Sequence, residues 1–253
     1  MLTARTVLVT GGAKRLGAAI ARRLAEDGHR LVIHHGRSAD EARALVREIG
    51  GVAVGGDLGD EATVATLVDR ARDAVGGPID GLVNSASMFE YDRPPEVEPA
   101  LLDRLHRVNL AAPVRLACAV AAQEDVEDAA VVNILDQKVA NPNPDFFSYS
   151  CAKIALEGAT TMLAQALGPR VRVNAVSPGL TLASGDQSAD EFARAAAKNL
   201  LGRPVGAEAV ADAVAYLIGS QGVSGQNLFV DCGQRFLARG GDVMFEDREV
   251  TGG

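Results

Sequence analysis

Only three cysteines occur in the chain: Cys118, Cys151 and Cys232. They are odd in number, far apart and include no CxxC pair. Neither a disulfide framework nor a metal site is expected, and a cytoplasmic setting is. Positive charge is also short: Lys and Arg total 25 against 33 Asp and Glu, a net charge of −8. That sign argues against broad binding to nucleic acid or an anionic membrane, but leaves room for one local basic pocket. No apolar run reaches the length of a membrane span, since the stretch 110–122 is broken by Arg115. The chain goes almost at once into a strand-like run, so no signal peptide is expected. Linkers and solenoid-type repeats are missing too, and 253 residues can bury a sizeable core.

What is present is an alternation of two periodicities. Apolar runs at 6–10, 31–34, 52–55, 79–84, 130–135, 171–176 and 227–230 are expected as strands. Helices are expected over 18–26, 39–49, 61–75, 101–122, 149–167 and 207–219. Pro113 falls inside the 101–122 helix, where its missing N–H predicts a kink. Most strands are continuous apolar runs, which implies burial on both faces. Such alternation gives right-handed crossovers and one parallel sheet. Two segments fall outside the rhythm. Residues 181–200, polar then helical, are expected as a substrate-loop lid, and 235–253 as a polar C-terminal tail that is either loose or docked on a partner subunit.

The first strand leads into Thr10-Gly11-Gly12-Ala13-Lys14-Arg15-Leu16-Gly17 and then a helix. Glycines there permit a tight turn and close backbone approach to a pyrophosphate, and the helix N-terminus adds free N–H groups. A glycine-rich turn alone is a weak signal; between strand and helix of an alternating chain it is stronger. The second strand ends in His34-His35-Gly36-Arg37-Ser38, with no carboxylate for a ribose hydroxyl. Lys14, Arg15 and Arg37 are placed to converge on a 2′-phosphate, which predicts NADPH over NADH; the alternative is three solvated surface cations. Asp57 and Leu58 follow the third strand, where the carboxylate suits an adenine amino group. Asn84, Ser85 and Ala86 follow the fourth, again at a strand's carboxyl end.

Tyr149 and Lys153 stand at i and i+4, on one helical face. A nearby ammonium and a cationic nicotinamide ring would lower the phenol's value and make it a usable proton donor. In order along the chain, these motifs resemble the short-chain dehydrogenase/reductase family. The resemblance runs from the Thr10 turn through Asp57, Asn84-Ser85-Ala86, Asn109 and the Tyr149/Lys153 pair to Ser177-Pro178-Gly179 and Val230-Asp231. It implies a single doubly wound α/β Rossmann domain over 1–253, with a seven-stranded parallel sheet flanked by helices on both faces. It implies further that Asn109 holds a water in a proton relay from Lys153, that Pro178, Gly179 and Leu180 lie beside the nicotinamide, and that the protein is a homotetramer through the helices 101–122 and 149–167.

One position departs from the family pattern. A serine is usual thirteen residues before the tyrosine, and here that position is Asp136. An aspartate there resembles the pteridine reductase branch, with its dihydromonapterin and dihydrofolate reductases. Arg15 in the glycine turn, the loop 34–38, and Phe89 after Ser87, where an aromatic would stack a pterin, agree with that branch. A pterin presents ring nitrogens, amino donors and C=N bonds, which a carboxyl group can meet. Two acidic groups as close as Asp136 and Tyr149 are expected to titrate as a coupled pair. The expected activity is NADPH-dependent pterin reduction, with Asp136, Tyr149, Lys153 and Asn109 catalytic and Arg15, Ser87 and Phe89 on the substrate. The alternatives are a carbonyl reductase of a 3-oxoacyl thioester, ketone or sugar, and a non-catalytic NADP(H)-binding regulator.

Overall fold

The computed structural model describes residues 4–183 and 188–246. One sheet holds seven strands: β1 (Thr6–Thr10), β2 (Arg30–His35), β3 (Val52–Gly55), β4 (Gly81–Asn84), β5 (Ala129–Ile134), β6 (Val171–Pro178) and β7 (Asn227–Val230). Their order is β3-β2-β1-β4-β5-β6-β7, and every neighbouring pair is parallel. The order reverses at β1 and β4, so a crevice opens there at the strands' carboxyl ends.

The apolar runs are continuous because both faces are covered. Val7 and Val9 of β1 and Leu31 and Ile33 of β2 face α1 (Arg15–Glu26), α2 (Ala39–Ile49) and α8 (Ala207–Gly219). Leu8 and Val32, one step along each strand, face α3 (Glu61–Val75), α5 (Ala112–Ala121) and α6 (Phe147–Leu167). Each such side chain, fully buried, contributes about 1.5–3 kcal/mol by leaving water. The seven-stranded parallel sheet and its two helical layers are as expected.

The expected 101–122 helix begins earlier and is not uniform. It comprises α4 (Pro99–His106), a π turn over Arg107–Ala111, and α5. Pro113 sits in the first turn of α5, where an absent N–H is least costly, and the wider turn just before it takes up the mismatch. The irregularity therefore lies upstream of the proline. The segment 181–200 contains α7 (Ala189–Ala196), opened by a capping box between Ser188 and Glu191; positions 184–187 of that expected lid lie outside the described residues. Of the expected tail, 235–246 is described and docks on its own chain. No helix among the described residues is long and apolar enough to cross a membrane.

Candidate active site

At the carboxyl edge of the sheet lies a cavity of about 530 Å³. Its first wall is the glycine turn. Gly11 has a φ of +61°, and a Cβ there would sit 2.8 Å from the Ala86 Cα. A Cβ on Gly17 would sit 2.3 Å from the Gly11 carbonyl oxygen. Only glycine fits either position. Gly11, Lys14, Arg15, Leu16 and Gly17 line the cavity, where α1 presents first-turn N–H groups that have no partner within the helix.

The turn is braced from behind. The Thr10 hydroxyl accepts from the backbone N–H of Ser85 at 3.0 Å and of Ala86 at 3.1 Å. Buried His34 accepts from the Gly11 N–H through Nδ1 at 3.2 Å, and its Nε2 lies 3.1 Å from the Gly56 carbonyl oxygen. Burial pulls the imidazole down to about 4, so it stays neutral with its proton on Nε2, donated to Gly56. One side chain thus ties the ends of β1, β2 and β3 together. Sequence reasoning selected its neighbour His35; the signal for His34 was its place in the buried run of β2.

His35, Ser38, Asp57, Leu58, Ser85 and Ala86 also line the cavity. The three cations do not meet at one point. Lys14 pairs with Glu41 at 3.0 Å, and Arg15 reaches across to the Ala183 carbonyl at 2.6 Å. Arg37 is exposed and lies outside the lining. Asn84 lies behind the wall and donates to Asn133 Oδ1 at 2.8 Å. The carboxylates nearest the end of β2, Asp40 and Glu41, are paired with Arg43 and Lys14.

The second wall carries the titratable groups. Tyr149 donates its hydroxyl proton to Asp136 Oδ2 at 3.0 Å, while Asp136 Oδ1 accepts from the Lys138 N–H at 2.9 Å. Burial pushes the Asp136 carboxyl above its ordinary value, against the Lys138 N–H and ammonium. Tyr149 is pushed well above its ordinary value by burial and then by the Asp136 carboxylate, with the Ser87 hydroxyl opposing. The lowering expected from the Lys153 ammonium is not seen, because burial is the larger effect and Lys153 is bonded elsewhere: its Nζ donates to the Ile134 carbonyl at 2.7 Å and lies 5.7 Å from the ring centroid. Burial brings Lys153 down to about 8, with Asp136 opposing.

Asn109, in the π turn, spends its side chain on the loop after β4. Its Oδ1 accepts from the Ser87 hydroxyl and the Met88 N–H, each at 3.0 Å, and its Nδ2 donates to the Met88 carbonyl at 2.8 Å. It holds Ser87 in the lining without lining the cavity itself. Phe89 is 40% exposed, stacks on Phe146 at 4.0 Å and meets Tyr149 edge-on at 4.8 Å. Pro178, Gly179 and Leu180 line the opposite rim. Gln234 fixes that rim by accepting from the Leu180 N–H at 2.9 Å, and a Cβ on Gly179 would sit 2.7 Å from its Oε1.

The remaining wall comes from the C-terminal segment, which in sequence reads as a tail either loose or docked on a partner subunit. Asp242 forms a buried ion pair with Lys138 at 2.7 Å, and its N–H donates to Asp145 Oδ2 at 2.7 Å. Asp145 also takes Arg93 and the Tyr91 hydroxyl. The Phe245 ring lies parallel to Phe146 at 5.9 Å. Lys138, Asp242 and Met244 line the cavity beside Asp136.

The family model described as enoyl-(acyl carrier protein) reductase matches residues 11–235. The chain belongs to the short-chain dehydrogenase/reductase family. Its resemblance to the pteridine reductase branch recurs in sequence and in structure. FolM alternative dihydrofolate reductase 1 from Brucella canis, solved in complex with NADP, is 42% identical with a TM-score of 0.89, over 94% of this chain and 97% of that one. Pteridine reductase 1 from Leishmania tarentolae is 33% identical over 85% of this chain and 90% of its own length. The 3beta-hydroxysteroid dehydrogenase 1 of Eggerthella lenta is 34% identical over 92% of this chain and 94% of its own length. Overall identity therefore does not choose the substrate of this family member; the site must.

Proposed function

We propose that the protein is an NADPH-dependent reductase acting on a C=N bond of a dihydropterin. The observation that carries this reading is the 3.0 Å hydrogen bond from Tyr149 to Asp136 beside the partly exposed Phe89 ring. The glycine turn fits a dinucleotide: it is a cradle that any Cβ would fill, at a helix N-terminus. The adenosine end lies with Asp57 and Leu58. Lys14, His35 and Ser38 flank the 2′-phosphate, and the carboxylates just after β2, Asp40 and Glu41, are each paired with a cation. The surface pair of Lys14 with Glu41 is worth little, so that ammonium is available to the phosphate. Pro178, Gly179 and Leu180 take the nicotinamide end.

When bound, NADPH supplies the hydride to the ring carbon. Tyr149, kept protonated by its surroundings, delivers the proton to the ring nitrogen, and Asp136 replenishes it. In its un-ionised form Asp136 offers an O–H, and when ionised it accepts from pterin N–H groups. Lys153 holds the Tyr149 ring from below. Phe89 stacks on the pterin with the face that Phe146 does not cover. The reading extends to one domain, a cytoplasmic location and a homotetramer, whose contacts would cover the exposed Ile154 and Met162 of α6; a single-chain mass in light scattering would overturn the tetramer.

The test is loss of NADPH absorbance with 7,8-dihydrobiopterin in one cuvette and an acetoacetyl thioester in another. Oxidation with the dihydropterin alone is expected. Oxidation with the thioester alone would make this a carbonyl reductase, and binding of NADPH without turnover on either would make it a regulator.

A further inference from the structure

The helix that carries Tyr149 begins without a cap of its own. Its N-cap residue, Phe146, has a φ of +53° and a ψ of +50°, and its side chain makes no capping hydrogen bond. A bulky residue in that left-handed region is strained, and it persists only where its surroundings hold it there. Here they are rings: Phe89 stacks on Phe146 at 4.0 Å, and Tyr91 meets it edge-on at 5.2 Å. Both rings come from the loop after β4.

The first N–H groups of a helix have to find partners outside it. For α6 the partner is Asp92, in that same loop and 56 residues before Ser148. The Phe147 N–H donates to the Asp92 carbonyl at 3.2 Å, and the Ser148 N–H to Asp92 Oδ1 at 3.0 Å. The Ser148 hydroxyl donates to Asp92 Oδ2. Asp92 and Ser148 are both buried, and Asp92 is absent from the cavity lining. An acidic side chain at this place also meets the positive end of the helix dipole.

What the cap joins is the important point. Tyr149 is the next residue along α6, so the phenol stands in the turn that Asp92 fastens. On its other side, Asp92 lies three residues after Phe89, whose ring meets Tyr149 edge-on at 4.8 Å. The loop is held at its start, where Asn109 takes Ser87 and Met88, and further along, where Asp145 takes Tyr91 and Arg93. Asp92 is the fastening that reaches the backbone of α6 itself.

We infer that Asp92 is a positioning residue for the reaction. It sets where the Tyr149 hydroxyl stands relative to the Phe89 ring, and so relative to a substrate stacked on that ring; the inference rests on the pterin reading for the substrate. Stacking fixes the plane of a flat ligand, and the proton has to arrive in that plane, at a ring nitrogen. Donor and platform belong to different elements, and a misplacement of about 1 Å can cost about a hundredfold in rate. One carboxyl group spans both elements and holds them to a common reference.

The test follows reduction of 7,8-dihydrobiopterin with NADPH saturating, in ordinary and heavy water, for the full-length protein and its variants. Asp92→Ala should lower kcat by about tenfold or more, raise the solvent isotope effect on kcat, and leave the NADPH Kd unchanged. Asp92→Asn, which keeps an acceptor for the Ser148 N–H, should recover most of kcat. Ser148→Ala removes one of the three bonds and keeps a good helix former, so a smaller fall is expected, with the isotope effect moved in the same direction. Adding Phe89→Ala to Asp92→Ala should cost less than the product of the two separate falls, because both spoil one alignment. A lowered Tm in Asp92→Ala with the parent's kcat and isotope effect would make Asp92 a structural cap alone and overturn the inference. A full product in the double variant would overturn it too. If Asp92→Ala does not fold, Ser148→Ala decides, and parent values of kcat and isotope effect there would overturn the inference. Failure of the parent protein to reduce any dihydropterin would instead overturn the pterin reading, and the inference with it.

Discussion

The glycine-turn end of the cleft is made of backbone, and the Tyr149 end is made of side chains. At the first, Gly11 and Gly17 pack so closely that a methyl group would strike Ala86 or the Gly11 carbonyl, and one neutral imidazole, His34, ties three strand ends. At the second, a coupled carboxyl and phenol sit beside a buried ion pair, Lys138 with Asp242, drawn from the middle and the far end of the sequence. Backbone geometry suits a ligand part that never varies. Side chains suit a part that differs from one reductase to another, and identities near 33–34% span a pteridine reductase and a hydroxysteroid dehydrogenase.

The comparison breaks most sharply at Tyr149. Tyr149→Phe should cut pterin reduction by about a thousandfold, the range of a lost general acid, and leave the NADPH Kd from fluorescence titration unchanged. Turnover near the parent rate would remove the phenol as proton donor. The next effect is structural. Asp242→Asn leaves the Lys138 ammonium buried without its counter-charge, at a cost of about 3 kcal/mol. Hydrogen exchange should show lost protection over 236–245 and none over 11–17; equal loss at both ends would mean that the two walls are not independent.

Acid should attack the other end. The His34 value falls from 6.5 to about 4 in the fold, so its contribution to stability is complete above pH 6.5 and is lost as pH falls toward 4. The loss amounts to about 3 kcal/mol at most. A His34→Gln variant cannot titrate there, so the gap in Tm between parent and variant should shrink from pH 7 to pH 4.5. A constant gap would show that the imidazole does not titrate in this range. The smallest effect concerns the pair itself. Asp136 stands above its ordinary value, and replenishing the phenol needs its carboxyl un-ionised, so the rate should fall as pH rises through the Asp136 value. Asp136→Asn should remove that fall and leave only the later one set by the phenol. A profile identical to the parent would take Asp136 out of proton delivery.

These two ends also differ in how readable they were. The glycine turn, the end of β2 and the Tyr149/Lys153 pair are local, a few residues each, and periodicity places them. The seven-stranded sheet followed from the same alternation. The substrate wall is not local: the hydrogen bond between Asp242 and Asp145 joins positions 97 residues apart. Lys138 belongs to no motif in the sequence, and nothing in its neighbours announces Asp242. The phenol's titration was misjudged for a related reason. Sequence shows that Lys153 is one turn from Tyr149, but not that the Ile134 carbonyl takes the ammonium.

The π turn over Arg107–Ala111 has a consequence for how the chain tolerates length changes. Such a turn amounts to one extra residue carried inside an α-helix. Carried in regular winding instead, that extra residue would rotate everything after it by about 100°, one residue's share of a 3.6-residue turn. Either Asn109 would swing away from Ser87 and Met88, or α5 would turn its Leu116 and Val120 out of the core. The wide turn therefore works as a phase absorber: it lets one continuous rod satisfy the loop beside Tyr149 with its middle and the sheet with its end.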